Sequence, residues 1–157
     1  MNESSPRIVA LSVRPRRRGE PRLLDTLHLT PSSGVDGDHG SSSRRQVTIL
    51  AEEAWEATVR AVGQELPWTT RRANVLVRGL DLSTLLVGGR LVLGACSVEI
   101  LGETFPCDQM EEACAGLHAA LLPETRGGVY GRILEEGHIS VGDEARIERP
   151  GERRSLP

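Results

Sequence analysis

The sequence predicts a β-rich α+β domain in which short, mostly antiparallel strands curl toward a barrel and a few helices lie at its periphery. Three observations carry this prediction. Short aliphatic and β-branched runs recur along the chain between Gly, Pro, Ser and Asp turn residues. Helical spacing of apolar residues is confined to two stretches. The 157 residues contain 38 % hydrophobic but only 3 % aromatic side chains, so the core must be aliphatic. A chain of that length can bury such a core as one domain. Closing the sheet on itself would remove its edges from solvent.

Taken in order, RIVALSV (Arg7–Val13) is an aliphatic run bounded by prolines and predicts a strand. RLLDTLHL (Arg22–Leu29) alternates Leu23, Asp25 and Leu27 against Leu24, Thr26 and His28, which predicts a weaker strand. The polar stretch TPSSGVDGDHGSSSRR has no apolar period, and loops of that length are functional or disordered. Gln46–Leu50 reads as a strand. In AEEAWEATVRAVG, the residues Ala54, Trp55, Thr58, Val59 and Val62 share one helical face, and Gly63 ends the helix. NVLV is a short buried strand, and LVGGRLVLGACSVEILG reads as two strands about a tight turn near Gly94. QMEEACAGLHAALL predicts one helix with Met110, Ala113, Leu117 and Leu121 on one face, stopped by Pro123. GGVYGRILEEGHISV predicts a hairpin turning at Glu136–Gly137, and VGDEARIE a last strand. The domain is expected over residues 6–149, with 150–157 as a disordered tail.

Composition excludes several function classes. No apolar run approaches the roughly 18 residues of a membrane span. The N-terminus lacks the basic-then-apolar pattern of a secretory signal. Three cysteines do not make a disulfide framework, and a reducing cytoplasm is the simplest expectation. A net charge of −3 argues against wholesale nucleic-acid binding. All 19 basic residues are arginine. Without lysine, the chain forms no side-chain Schiff base, so covalent pyridoxal phosphate is not expected, and it has no Walker-type phosphate loop. An anionic ligand would be held by arginine forks and backbone N–H groups.

The stretch GETFPCDQMEEACAGLH holds the first candidate. Pro106 stiffens the turn that presents Cys107, and the helix expected after it would point unpaired N–H groups at the thiol. Asp108, Glu111 and Glu112 oppose that effect unless arginines face them. On the residues alone, Cys107 can be a core side chain, a metal ligand or a nucleophile. Cys96 alternates with Val98 and Ile100 and reads as core. Cys114 lies about 10 Å beyond Cys107 by helix rise, too far for a disulfide. GVDGDHG clusters Asp36, Asp38 and His39 at a glycine-permitted turn. RRANVLV places Arg71, Arg72 and Asn74 at the mouth of a buried strand. In RGGVYGR, Gly127 and Gly128 let a ligand or another chain segment approach the backbone after Arg126.

These pieces, in this order, resemble the MOSC family, named for the C-terminal domain of molybdenum cofactor sulfurases. GVDGDHG is similar to the family's G-x-x-G-D-x-H loop, and RRANVLVRGLDL to its R-x-N signature. FPC matches its cysteine and RGGVYGRILEEGHISVGD its C-terminal stretch, so the likeness covers roughly residues 6–148. The resemblance implies a mostly-β barrel and makes Cys107 the central cysteine, either as a ligand of molybdenum in the pterin cofactor (molybdopterin) or as a persulfide carrier. It implies that Arg72 binds the pterin phosphate with Asn74 beside it. By the same resemblance, His39 and Asp38 would border the site as proton donor or orienting group, and Arg45, Arg126, Gly127 and Gly128 would complete its rim. Larger members add a further β domain or a ferredoxin-like segment. Here an electron or sulfur donor protein is the expected partner, beside a small N-hydroxylated or similar substrate. The alternatives are a metal-free sulfur carrier and a module that delivers cofactor without turnover.

Overall fold

The structure, a computed structural model, describes residues 5–41, 44–85 and 87–148. The expected tail at 150–157 lies outside them. Eleven strands are described: β1 (Arg7–Val13), β2 (Arg22–Leu24), β3 (Thr26–Thr30), β4 (Gly34–Val35), β5 (Val47–Ala51), β6 (Val75–Arg78), β7 (Arg90–Leu93), β8 (Cys96–Glu103), β9 (Val129–Ile133), β10 (Gly137–Ser140) and β11 (Ala145–Glu148). The α-helices are α1 (Glu52–Val62), α2 (Asp108–Ala113) and α3 (Leu117–Leu121). None is long and apolar enough to cross a membrane.

Eight strands form one sheet in the order β11-β7-β8-β9-β5-β6-β1-β2, and β10-β3-β4 form a second. Arg7 bridges Glu144, and Ile8 N–H donates to Asp143 O (2.8 Å), so β1 reaches the start of β11 and the large sheet curls toward closure. Its pairs are antiparallel except β5 with β6, which α1 connects. Parallel strands need such a crossover because a tight turn cannot reverse twice.

The curl makes an inside and an outside. Cys96, Val98 and Ile100 of β8 and Leu91 and Leu93 of β7 alternate inward, beside Ile8, Leu11, Val47, Ile49, Val75 and Val77. Leu27, Leu29, Val35 and Ile139 of the small sheet close this interior. A second core lies on the outer face of β5 and β6, where Leu50 and Leu76 meet Trp55, Met110, Cys114, Leu117 and Leu121 of the helices. Strands β5 and β6 are covered on both faces, which explains why their sequences are mostly apolar rather than alternating.

Three local expectations change. RLLDTLHL is split at Asp25: β2 pairs with β1, whereas β3 pairs with β10 and β4. The 108–121 stretch is two short helices, because Gly116 takes φ 88° and Glu111 accepts hydrogen bonds from Gly116 N–H (2.9 Å) and His118 N–H (3.3 Å). Those two bonds also hold the Glu111 carboxyl below its ordinary range. Strands β9 and β10 are no hairpin; β9 lies between β5 and β8, and β10 pairs with β3. The turn at Gly94 and the end of α1 at Gly63 (φ 78°) form as expected.

Candidate functional site

The chain leaves β8 at Glu103 and crosses toward α2 through Thr104, Phe105, Pro106 and Cys107. Thr104 N–H donates to Gly128 O (2.8 Å), which ties this crossing to the start of β9. Cys107 is the cap residue preceding α2 and is exposed, whereas Cys96 and Cys114 are buried. Because α2 spans only six residues, its dipole is a minor source of positive potential at the thiol.

That potential comes from Arg71, which ends a short 3-10 turn at Trp68–Arg71. Its side chain is 6 % exposed. Nε donates to Gly127 O (3.0 Å) and one Nη to Thr104 O (2.6 Å), so the guanidinium is locked between the segment before Cys107 and the segment before β9. Burial pushes the Arg71 pKa down to about 10, while the negative charge of a Cys107 thiolate acts the other way and Arg45 adds to the lowering. The sequence pattern put weight on Arg72, and Arg71 was legible only as its neighbour. The missing signal is the 3-10 turn, which sends Arg71 inward and leaves Arg72 at φ 67° with its Nη1 on Gln109 Oε1 (2.8 Å).

A cleft of about 230 Å³ opens beside Cys107, lined by Asp38, Arg45, Arg71, Arg72, Thr104 and Phe105, with Asn74, Gln109 and Gly40 among its other walls. Asp38 is the carboxylate of this lining, and its Oδ1 accepts from Arg14 N–H (2.9 Å). The Arg45 guanidinium lies over the Tyr130 ring at 4.6 Å. Phe105 is 66 % exposed at the rim. Among the described residues, Thr104 Oγ1 is buried without a hydrogen-bond partner.

The other expected residues fall elsewhere or take different work. His39 is exposed on the loop, its backbone N–H bonded to Arg14 O (2.8 Å), and it does not line the cleft as Asp38 and Gly40 do. Asn74 lines the cleft, yet its side chain is spent on Thr48 N–H (3.0 Å), Thr48 Oγ1 (3.0 Å) and Ser12 O (3.2 Å), pinning β1, β5 and β6 together. Arg126 donates to Ala120 O (3.1 Å) and lines a separate cavity of about 460 Å³ with Glu53, Asp81 and Glu124. Gly127 and Gly128 serve close approach of chain to chain. A Cβ on Gly127 would collide with Thr104 O, and one on Gly128 with Ile49 O. No group of three or more His, Cys, Asp or Glu side chains that could hold a metal ion occurs among the described residues. A metal here would therefore bring most of its ligands with it.

Fold and cleft together define a small β-barrel module with one exposed cysteine set among arginines. The family model described as the MOSC domain matches residues 36–146, and the chain belongs to that family. The fold is shared with the YuaD protein from Bacillus subtilis, at TM-score 0.74 and 20 % identity over 90 % of this chain and 94 % of that one. It is shared too with YiiM from Geobacillus stearothermophilus, at TM-score 0.73 and 16 % identity over 94 % and 78 % of the two chains. YiiM from Escherichia coli gives a TM-score of 0.69 at 15 % identity, over 91 % of this chain and 70 % of that one. No curated protein matches the sequence.

Proposed function

We propose that this chain binds the molybdenum cofactor in the cleft, with Cys107 as the protein's sulfur ligand to the metal, and reduces N-hydroxylated or similar small substrates using electrons from a donor protein. One observation carries the reading: the exposed Cys107 stands at the mouth of a cleft walled by Arg45, Arg71 and Arg72. The residues fit the group. A thiolate is a soft ligand for a soft metal centre. Arginine forks match a phosphate in the absence of any lysine. The unpartnered Thr104 Oγ1 leaves hydrogen-bonding capacity in the wall. Bound there, the cofactor supplies two-electron redox chemistry. The chain's own part is to fix it: Cys107 would hold the metal, Arg72 the phosphate, and Arg71 would keep a positive charge in the same cleft. Asp38 lines the same cleft and would orient the groups bound there.

A second reading rests on the exposure of Cys107 itself, which a donor protein can reach. In it, the Cys107 thiolate attacks the outer sulfur of a donor persulfide, the donor thiolate leaves, and Cys107 carries the persulfide to an acceptor. Native mass spectrometry separates the two, on wild type and Cys107→Ala made in a host that produces molybdenum cofactor. A pterin–molybdenum adduct lost in the variant supports the first reading. One extra sulfur on the wild type alone supports the second. Adducts that persist in Cys107→Ala, or bare masses in both proteins with the donor present, would refute a role for Cys107.

A further inference from the structure

The stretch that leaves β1, Arg14–Arg22, carries five arginines and one acid, Glu20, in a chain whose net charge is −3. The remainder of the chain is therefore net acidic, and this loop is a positive patch upon it. Arg14 has Asp38 beside it, and Glu112 lines the cavity that Arg14 and Arg18 share. The outer face of the loop is different. Arg16, Arg17, Arg18 and Arg22 are exposed, and among the described residues none of the four makes an ion pair.

The backbone of the loop is fixed and tied to the site. Pro15 and Pro21 restrict its two ends. Gly19 N–H donates to Arg16 O (2.9 Å), and Arg14 Nη1 donates to Gly19 O (2.6 Å). Through Nη2, Arg14 also donates to Thr69 O (2.6 Å), in the turn that leads into Arg71 and Arg72. A cavity of about 400 Å³, lined by Arg14, Arg18, Arg72 and Gln109 among others, shares Arg72 and Gln109 with the Cys107 cleft. The two cavities form one groove, which leads from the loop to the thiol. A partner seated on the loop is thus held in register with Cys107.

Exposed apolar side chains mark this surface too. Leu23, directly after the loop, is 64 % exposed, and Phe105, at the rim of the cleft, 66 %. Apolar anchors beside a charged rim suit a protein partner. Leu23 offers nothing to a phosphate chain, and the overall negative charge disfavours nucleic acid. We infer that the Arg14–Arg22 loop is the docking surface for the donor protein, and that the donor presents an acidic patch beside its own reactive centre. The inference rests on the reading above that a donor serves Cys107, but its test needs neither the metal nor turnover.

The test is fluorescence anisotropy of a labelled deca-glutamate peptide at low salt. The proteins are wild type, Arg16→Gln/Arg17→Gln/Arg18→Gln, and a charge-matched control, Arg60→Gln/Arg132→Gln/Arg146→Gln, at exposed positions on α1, β9 and β11. The loop variant is expected to bind about tenfold more weakly than wild type, the low end of what electrostatic complementarity contributes. The control and Cys107→Ser should bind as wild type does. The same peptide, ended in a cysteine pyridyl disulfide, reads the register. The Cys107 thiolate attacks the peptide sulfur, pyridinethione leaves, and its absorbance gives the rate. This exchange should run about tenfold faster than with an uncharged Gly-Ser peptide, an advantage that the loop variant loses. Equal losses of binding in the two triple variants would reduce the effect to net charge and overturn the docking surface. So would an exchange rate at Cys107 indifferent to the charge of the peptide. A deca-thymidine strand that outbinds the peptide through the same arginines would overturn the protein partner. The expected preference in a protein that takes up no molybdenum would sink the cofactor reading and leave the docking surface standing.

Discussion

Arg71 carries a buried positive charge that burial alone disfavours, and the groups arranged around it say what offsets the cost. Two carbonyls, Gly127 O and Thr104 O, accept its hydrogen bonds, and negative charge at Cys107 would raise its pKa again. The thiol and the guanidinium are therefore one unit, held by the segments on either side. Cys96 is the contrast. It is fully buried in the barrel, where burial first and then Glu135 and Asp143 push its pKa up. Cys114 is 7 % exposed in the second core. Peptide mapping after brief iodoacetamide treatment of the native protein should find Cys107 modified about tenfold faster or more than either other cysteine, because it is exposed and they are buried. Equal labelling of Cys107 and Cys114 would contradict the site geometry.

At the scale of elements, the site is made where the crossing before α2 meets the start of β9. The paired glycines are the reason the two can touch: Gly127 faces Thr104 O, and Gly128 lies at φ 92° against Ile49 O. Gly127→Ala and Gly128→Ala should each cost about 1–3 kcal/mol, the usual range for forced overlap. Gly63→Ala, where the added carbon meets nothing, should show only the smaller strain of its φ of 78°. Urea unfolding of the three variants checks the order. If Gly127→Ala proves as stable as wild type, the glycines do not carry the close approach. The sequence showed the glycines but not which partner they admit, because a missing side chain is silent about what fills its place. Nor did it separate one helix from two at 108–121. The apolar period runs through Met110, Leu117 and Leu121, yet the break depends on Glu111 bonding to Gly116 and His118 N–H groups. The pairing of β10 with β3, more than a hundred residues apart in Ile139↔Leu27, is a long-range choice that local alternation does not encode.

At the scale of the molecule, the curled sheet supplies two cores, and the groove runs along one end of it. Arg14 follows β1, Asp38 follows β4, Arg71 and Arg72 precede β6, and Cys107 follows β8. Residues distant in sequence converge because these strand ends lie around one barrel mouth. The class of fold was legible from the recurring short aliphatic runs, and Cys107 stood out as a candidate only once the family resemblance was added to the turn that presents it. Arg14 carried no such signal, since nothing in the pattern shows that Gly19 O and Thr69 O would clamp it. The most direct test of the whole account is X-ray absorption at the molybdenum edge, on cofactor-loaded wild type and Cys107→Ser. The account predicts that the variant, if it retains metal, loses one sulfur neighbour from the molybdenum shell. An unchanged sulfur shell in Cys107→Ser would contradict it.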